Sequence, residues 1–333
     1  MRKLLFSGFL AFCLFAAAHP LPAQAPDVRI EADGHPEYSQ AILDAAEALR
    51  LSDRLPIDAP RGAALLAEPE PEGFDLPAPN LEPMSSASIA ALARKALVRI
   101  GWYYRCDSCE DWHLSVSGAY AVADSGVIAT CYHAVDPTGD DAITEGFLIV
   151  IDQDDRVCPV TSILAADPAL DIALLQADGG NFTPLALQEN AAPGDPVYLM
   201  SDPLGNTGYF SSGIINRFYW EYPENPPSAA PRGGRPWPDG RQDMHSLEGI
   251  RRLQMNVSTD WAPGSSGCAV LDRCGNAIGH VSTINPQRES EPGDADDRFD
   301  GAVLITLHNA TPARTVRLLI EQCLEDAKDI EAR

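Results

Sequence analysis

Basic residues are scarce in this chain: 24 Lys and Arg stand against 48 Asp and Glu, leaving a formal net charge of -24. Such acidity offers no basic patch, which argues against nucleic acid or anionic lipid as a partner. Only one C-x-x-C occurs (Cys106, Cys109), with no second pair at zinc-finger spacing. A structural zinc site is therefore weakly supported, and no metal or cofactor is expected. No repeat of fixed period is visible. A G-x-S-x-G nucleophile elbow is also missing, because Cys268 stands where its last glycine would.

The first 25 residues hold the one long apolar run. Arg2 and Lys3 precede "LLFSGFLAFCLFAAA", and Ala23, Gln24 and Ala25 suit small-residue cleavage. This reads as a secretory signal peptide, too short and wrongly flanked to span a membrane. No cysteine follows the run closely enough for a lipoprotein. The expectation is an exported protein, periplasmic or extracellular, with 308 residues after cleavage and no membrane contact. Seven cysteines would remain, an odd number that suggests disulfides and at least one unpaired thiol.

Residues 26–84 read as an N-terminal extension. Ile42, Ala45, Ala46 and Leu49 share one helical face, and the seven prolines between positions 55 and 83 suit an extended linker without packed layers. This extension is expected to be dispensable for folding, although it could act as a prosegment. Residues 85–95 suit a helix capped by serine. From Ala96 the texture changes to twelve short β-type runs, from "ALVRIGWYY" to "GAVLITL", separated mostly by Gly, Pro, Asn and Asp. That pattern predicts an all-β sandwich or barrel pair, as one domain over 85–333. A C-terminal helix follows, capped at Thr311 and Pro312, with Val316, Leu319, Ile320, Cys323 and Ala327 on its apolar face. Residues 221–251, rich in Pro, Gly and Arg, read as a long surface loop.

Three stretches carry the chemistry. "SGVIATCYHAVDP" is a strand leading to His133. "AADPALDIALLQ" puts Asp171 where a loop enters an apolar strand, and a buried carboxylate needs a partner such as an imidazole N–H. "TDWAPGSSGCAVLDRCGNAIGH" holds Ser266 in a small-residue turn. Each residue alone also suits an ordinary structural role. Together they supply a nucleophile, a base and a carboxylate that orients the base.

The order His, Asp, Ser and these contexts resemble the chymotrypsin-like peptidases, and more specifically the trypsin-like domain of bacterial HtrA-type proteases. "GVIATCYHAV", "DPALDIALLQ", "GYFSSGIIN" and "PGSSGCAVLDRCGNAIG" carry the resemblance, which covers roughly residues 96 to 325. It implies two six-stranded antiparallel β-barrels with the site between them. Ser266 would be the nucleophile, His133 the base and Asp171 its orienting partner. The backbone N–H groups of Gly264 and Ser266 would form the oxyanion hole, worth roughly 3 kcal/mol per donor. The strand "HVS" (His280, Val281, Ser282) would pair with substrate.

Departures from that pattern are informative. The resemblance does not extend to a PDZ domain, and none is expected. The segment "TDWAPGSS" is two residues shorter than in HtrA sequences. Asp260 lies six residues before Ser266, the trypsin spacing that favours Arg or Lys substrates; alternatively it belongs to a displaced Thr-Asp pair and Trp261 fills the pocket. The 221–251 loop takes the place of the HtrA regulatory loop. Cys131 and Cys268 each lie two residues from a proposed catalytic residue, so they suit an inter-barrel disulfide, with two buried thiols or a Cys268–Cys274 pair as alternatives. The function expected is a serine endopeptidase acting on polypeptides through an acyl-enzyme. A catalytically silent peptide-binding module, a secreted esterase and a structural envelope protein are the rivals.

Overall fold

The computed structural model describes residues 38–138, 143–221, 252–288 and 303–332. The leader and nearly all of the 221–251 loop lie outside the described residues. Twelve strands form two closed antiparallel barrels. The first contains β1 (Val98–Arg105), β2 (Trp112–Ala121), β3 (Val127–Thr130), β4 (Gly146–Ile151), β5 (Val157–Asp167) and β6 (Ile172–Ala177). The second contains β7 (Pro196–Ser201), β8 (Tyr209–Glu221), β9 (Arg252–Val257), β10 (Ala269–Leu271), β11 (Ala277–Arg288) and β12 (Val303–Pro312). Around each barrel the orders are β1-β2-β3-β6-β5-β4 and β7-β8-β9-β12-β11-β10. Each of the twelve β-type runs in the sequence becomes one of these strands.

Side-chain periodicity explains the placement. β2 alternates between exposed and half-buried at its start, then is wholly buried over its last four residues, where it passes into the molecule. β3 is buried throughout, as a strand with neighbours on both faces must be. At Gly118 on β2 the second barrel comes so close that an added Cβ would lie 2.1 Å from Cys268 Sγ. Only glycine fits there.

Among the described residues, four helices surround the barrels: α1 (Tyr38–Leu51), α2 (Ala59–Ala67), α3 (Ser86–Ala96) and α4 (Ala313–Glu331). α1 buries Ile42 and Ala46, two of the residues read as its apolar face. The Ser85 side chain caps α3 by accepting from Ser88 N–H. α4 begins one residue later than the sequence suggested, with Pro312 as its N-cap, because Thr311 is still buried in β12. It buries Val316, Ile320, Cys323 and Ala327.

The stretch expected to be a linker is packed instead. Ile57 is fully buried, and its carbonyl accepts from Leu148 N–H of β4 at 2.9 Å. α2 buries Leu65 and Leu66 in the cluster that fills the first barrel. The chain then runs extended across both barrels. Glu70 N–H donates to Ile163 O of β5, and Met84 N–H donates to Arg273 O beyond β10, both at 2.9 Å. Asn80 and Asn276 exchange two 2.8 Å hydrogen bonds between backbone and side chain. Proline held this segment extended, as composition suggested. What composition could not report is the surface it lies on.

The expected inter-barrel disulfide is not formed. Cys131 and Cys268 are both buried free thiols. Cys131 S–H donates to Val281 O at 3.0 Å, whereas Cys268 Sγ lies against Gly118. The two sulfurs serve different contacts and point to different neighbours. Cys274, the other partner considered, is free as well.

Candidate active site

His133 lies in a single 3-10 turn (Tyr132–Ala134) directly after β3. Asp171 ends the turn between β5 and β6, in which Asp167 Oδ1 accepts the N–H groups of Ala169 and Leu170. Asp171 has φ of 59°, a left-handed conformation uncommon for a residue with a side chain and often found where function constrains the backbone. That turn aims the carboxylate inward. His133 Nδ1 lies 2.9 and 3.0 Å from the two Asp171 oxygens, and His133 N–H donates to Oδ1 at 3.1 Å. Ser282 Oγ–H donates to Oδ2 at 2.8 Å.

These contacts set the charges. Burial alone would raise the Asp171 pKa, but the hydrogen bonds and charge of His133, with the Ser282 hydroxyl, outweigh it and hold the pKa below its ordinary value. Burial pulls the His133 pKa down, while the hydrogen bond and charge of Asp171 lift it further, so that the net shift is upward. Arg252 opposes that rise. Its guanidinium stands 3.8 Å from Asp171 Oδ2 and 3.0 Å from Glu221 Oε2.

Ser266 sits between two glycines with left-handed backbones, Gly264 (φ 98°) and Gly267 (φ 83°). A Cβ on Gly264 would lie 2.7 Å from Asp202 O, and one on Gly267 would lie 2.2 Å from Gly118 O. The turn is closed by Ser265 N–H to Ala262 O and Cys268 N–H to Ser265 O. β2 reaches it through Ser117 Oγ–H, which donates to Ser266 O at 2.9 Å. Gly267 N–H and Cys131 S–H both donate to the Val281 carbonyl, at 2.8 and 3.0 Å. One acceptor thus draws the neighbours of Ser266 and of His133 together. Among the described residues, no hydrogen bond joins Ser266 Oγ to the His133 ring. A cavity of about 190 Å³ opens at the barrel junction, lined by Arg99, Ser117, Gly118, Asp202, Gly264 and Cys268 among others.

The residues expected to meet substrate divide. His280 is wholly buried with its ring 6.1 Å from that of Tyr120, so it faces the interior and not a substrate. β11 is buried on both faces here, since Val281 and Ser282 are buried as well. The Val281 side chain is also buried, and its N–H and carbonyl both bond to the Ser266 turn. Ser282 holds Asp171 from its buried position. Asp260 is exposed, and its backbone carbonyl accepts from Ser211 Oγ–H. Trp261 is buried, donating Nε1–H to Thr283 O at 3.4 Å with its ring 4.9 Å from His308. Arg252, Glu221 and Ser117 were not singled out from the sequence, because only barrel closure brings them to Asp171 and Ser266.

The match to a family model agrees with this architecture. Residues 116–279, which span the His133, Asp171 and Ser266 segments, match the family described as trypsin-like peptidase domain. No curated protein sequence matches the chain significantly. Among solved structures the chain is similar to the serine endoprotease from Yersinia pestis. That match has 18% identity and a TM-score of 0.46, over 74% of this chain and 68% of the other. With two closed six-stranded barrels and a family match across residues 116–279, the chain carries a trypsin-like peptidase domain.

Proposed function

We propose that this protein is an exported serine endopeptidase in which Ser266 attacks the peptide carbonyl, His133 takes and returns the proton, and Asp171 orients His133. The observation that carries the reading is the pair of short contacts from His133 Nδ1 to a buried Asp171 carboxylate. A ring held through Nδ1–H leaves Nε2 as the acceptor, the tautomer a general base requires. The Ser282 hydroxyl and the His133 backbone N–H satisfy the carboxylate further, so it remains ionised and stabilises the imidazolium that forms. The N–H groups of Gly264 and Ser266 are the donors assigned to the developing oxyanion, and the left-handed Gly264 gives the turn its shape. Trp261 filling the space beside β11 speaks against a preference for Arg or Lys drawn from Asp260. Export is supported by the leader composition of residues 1–25.

A silent peptide-binding module is the competing reading, favoured by the missing hydrogen bond between Ser266 and His133. Ligand-free peptidases often hold that bond long, and it tightens only with substrate. A fluorophosphonate probe separates the two. The full-length protein should label at Ser266, and Ser266→Ala should abolish labelling while melting normally. Asp171→Asn should slow turnover of a peptide substrate on the order of 10⁴-fold through the wrong His133 tautomer. Wild-type turnover in either variant removes the triad assignment.

A further inference from the structure

β1 and β2 are joined by the hairpin turn of residues 106–111, which contains both cysteines of "RCDSCEDWH". Cys106 N–H donates to Asp111 O and Glu110 N–H donates to Cys106 O, each at 2.9 Å, and Glu110 closes the turn with φ of 61°. Beyond the turn, β2 pairs His113 opposite Tyr104, so the imidazole returns to the two thiols. Cys109 Sγ and His113 Nε2 are 2.9 Å apart, and Cys106 Sγ lies with them inside 4.8 Å. Neither cysteine is in a disulfide.

Ser108 N–H points at Cys106 Sγ at 3.4 Å. Asp107, Glu110 and Asp111 flank the turn, and the Arg105 guanidinium is engaged by Glu110 and Glu145.

We propose that Cys106, Cys109 and His113 bind one thiophilic divalent cation of the Zn²⁺ type, with solvent as fourth ligand, at the tip of the β1–β2 hairpin. A tetrahedral site with metal–sulfur bonds of about 2.3 Å and a metal–nitrogen bond of about 2.0 Å separates its ligand atoms by roughly 3.5–3.8 Å. The three donors already stand within that neighbourhood, and small rotamer changes suffice. Binding releases the two thiol protons to solvent, with His113 neutral. A search for paired C-x-x-C motifs misses such a site, because its third ligand is supplied by strand pairing. The cation would clamp the outer end of β2, four residues from Ser117, whose hydroxyl bonds the Ser266 carbonyl. Along a strand that is about 13 Å.

Cobalt substitution tests this in the reduced, full-length protein. One Co²⁺ per chain should produce thiolate-to-cobalt charge-transfer bands and the visible bands of tetrahedral cobalt, and added Zn²⁺ should displace it. Cys109→Ser and His113→Ala should each weaken binding by at least about tenfold, the lower bound set by losses at groups that merely support a ligand. His133→Ala should leave the bands intact, which excludes the second cluster of donors formed by Cys131, His133 and Asp171. X-ray absorption at the zinc edge of the wild-type protein should count two sulfur ligands, a readout that does not depend on the variants folding. Absence of thiolate bands would overturn the proposal, as would bands indifferent to Cys109→Ser and His113→Ala. A Cys106–Cys109 disulfide that forms equally with Zn²⁺ present would overturn it too.

Discussion

Arg252 lies close to the buried carboxylate on which His133 depends. It shares Glu221 with Gln254, whose Nε2–H donates to Glu221 Oε2 at 2.9 Å, so the guanidinium is fixed near Asp171. A positive charge there disfavours the imidazolium. Arg252→Gln should therefore raise the His133 pKa further. The acid limb of kcat/KM, where activity falls as His133 is protonated, should move to higher pH. A profile that stays in place would show that Arg252 serves packing only. His280 gives an opposite case, one of stability. Burial pushes its pKa from 6.5 to about 4, and neither ring nitrogen makes a hydrogen bond among the described residues. Between pH 6.5 and 4 the unfolded chain binds a proton that the folded one refuses, so stability drops as pH falls through that window. The full loss is about 3 kcal/mol at 1.36 kcal/mol per unit. Denaturant titrations of His280→Leu across this range should show a pH dependence shallower by that amount.

Among the elements, the segment before β1 contributes more than its composition suggests. Glu47 on α1 accepts from Tyr103 O–H of β1 at 2.7 Å and pairs with Arg50, whose guanidinium lies 4.7 Å above the Trp112 ring. α2 buries Leu65 and Leu66 against the first barrel, and the strap of residues 68–84 reaches the second. Removing residues 26–84 would therefore expose apolar surface on both barrels. A chain beginning at Ser85 should lose most of its cooperative melt, contrary to what the Pro-rich composition alone implies. Leu66→Ala, a smaller perturbation, should cost about 2–5 kcal/mol in a denaturant melt. An unchanged midpoint would mean that α2 merely rests on the surface. Helices α1 and α4 were legible because their apolar residues repeat at helical spacing within the element, and α3 because serines offer its N-cap. The strap was not, since proline and acidic residues describe an extended backbone and say nothing of its contacts.

At the scale of the whole molecule, one apolar cluster crosses the barrel boundary. It joins Tyr120, Ala129 and Leu174 of the first barrel to Val197, Met255 and Val270 of the second, together with Ile89 of α3 and Val316 of α4. The strap, α3 and α4 hold the same junction from outside. The two barrels should consequently unfold as one unit in calorimetry, with equal calorimetric and van't Hoff enthalpies. Two separable transitions would show that the shared core does not couple them. Coupling of this kind also serves the site, since Ser266 depends on Ser117 of β2 and Asp171 depends on Ser282 of β11. Each barrel completes the other's half.

Local pattern decided the twelve strands and helices α1, α3 and α4, and it singled out His133, Asp171 and Ser266 as candidates. Period-two alternation, helical spacing and residue chemistry are all properties of neighbours along the chain. The tertiary structure decided what depends on neighbours across it. Closure of the barrels turned His280 inward, placed Arg252 beside Asp171 and sent Cys131 to the Val281 carbonyl instead of to Cys268. Strand pairing returned His113 to Cys106 and Cys109. Sequence order reports which backbone conformation a segment prefers. Only register and packing settle which face it presents, and to what.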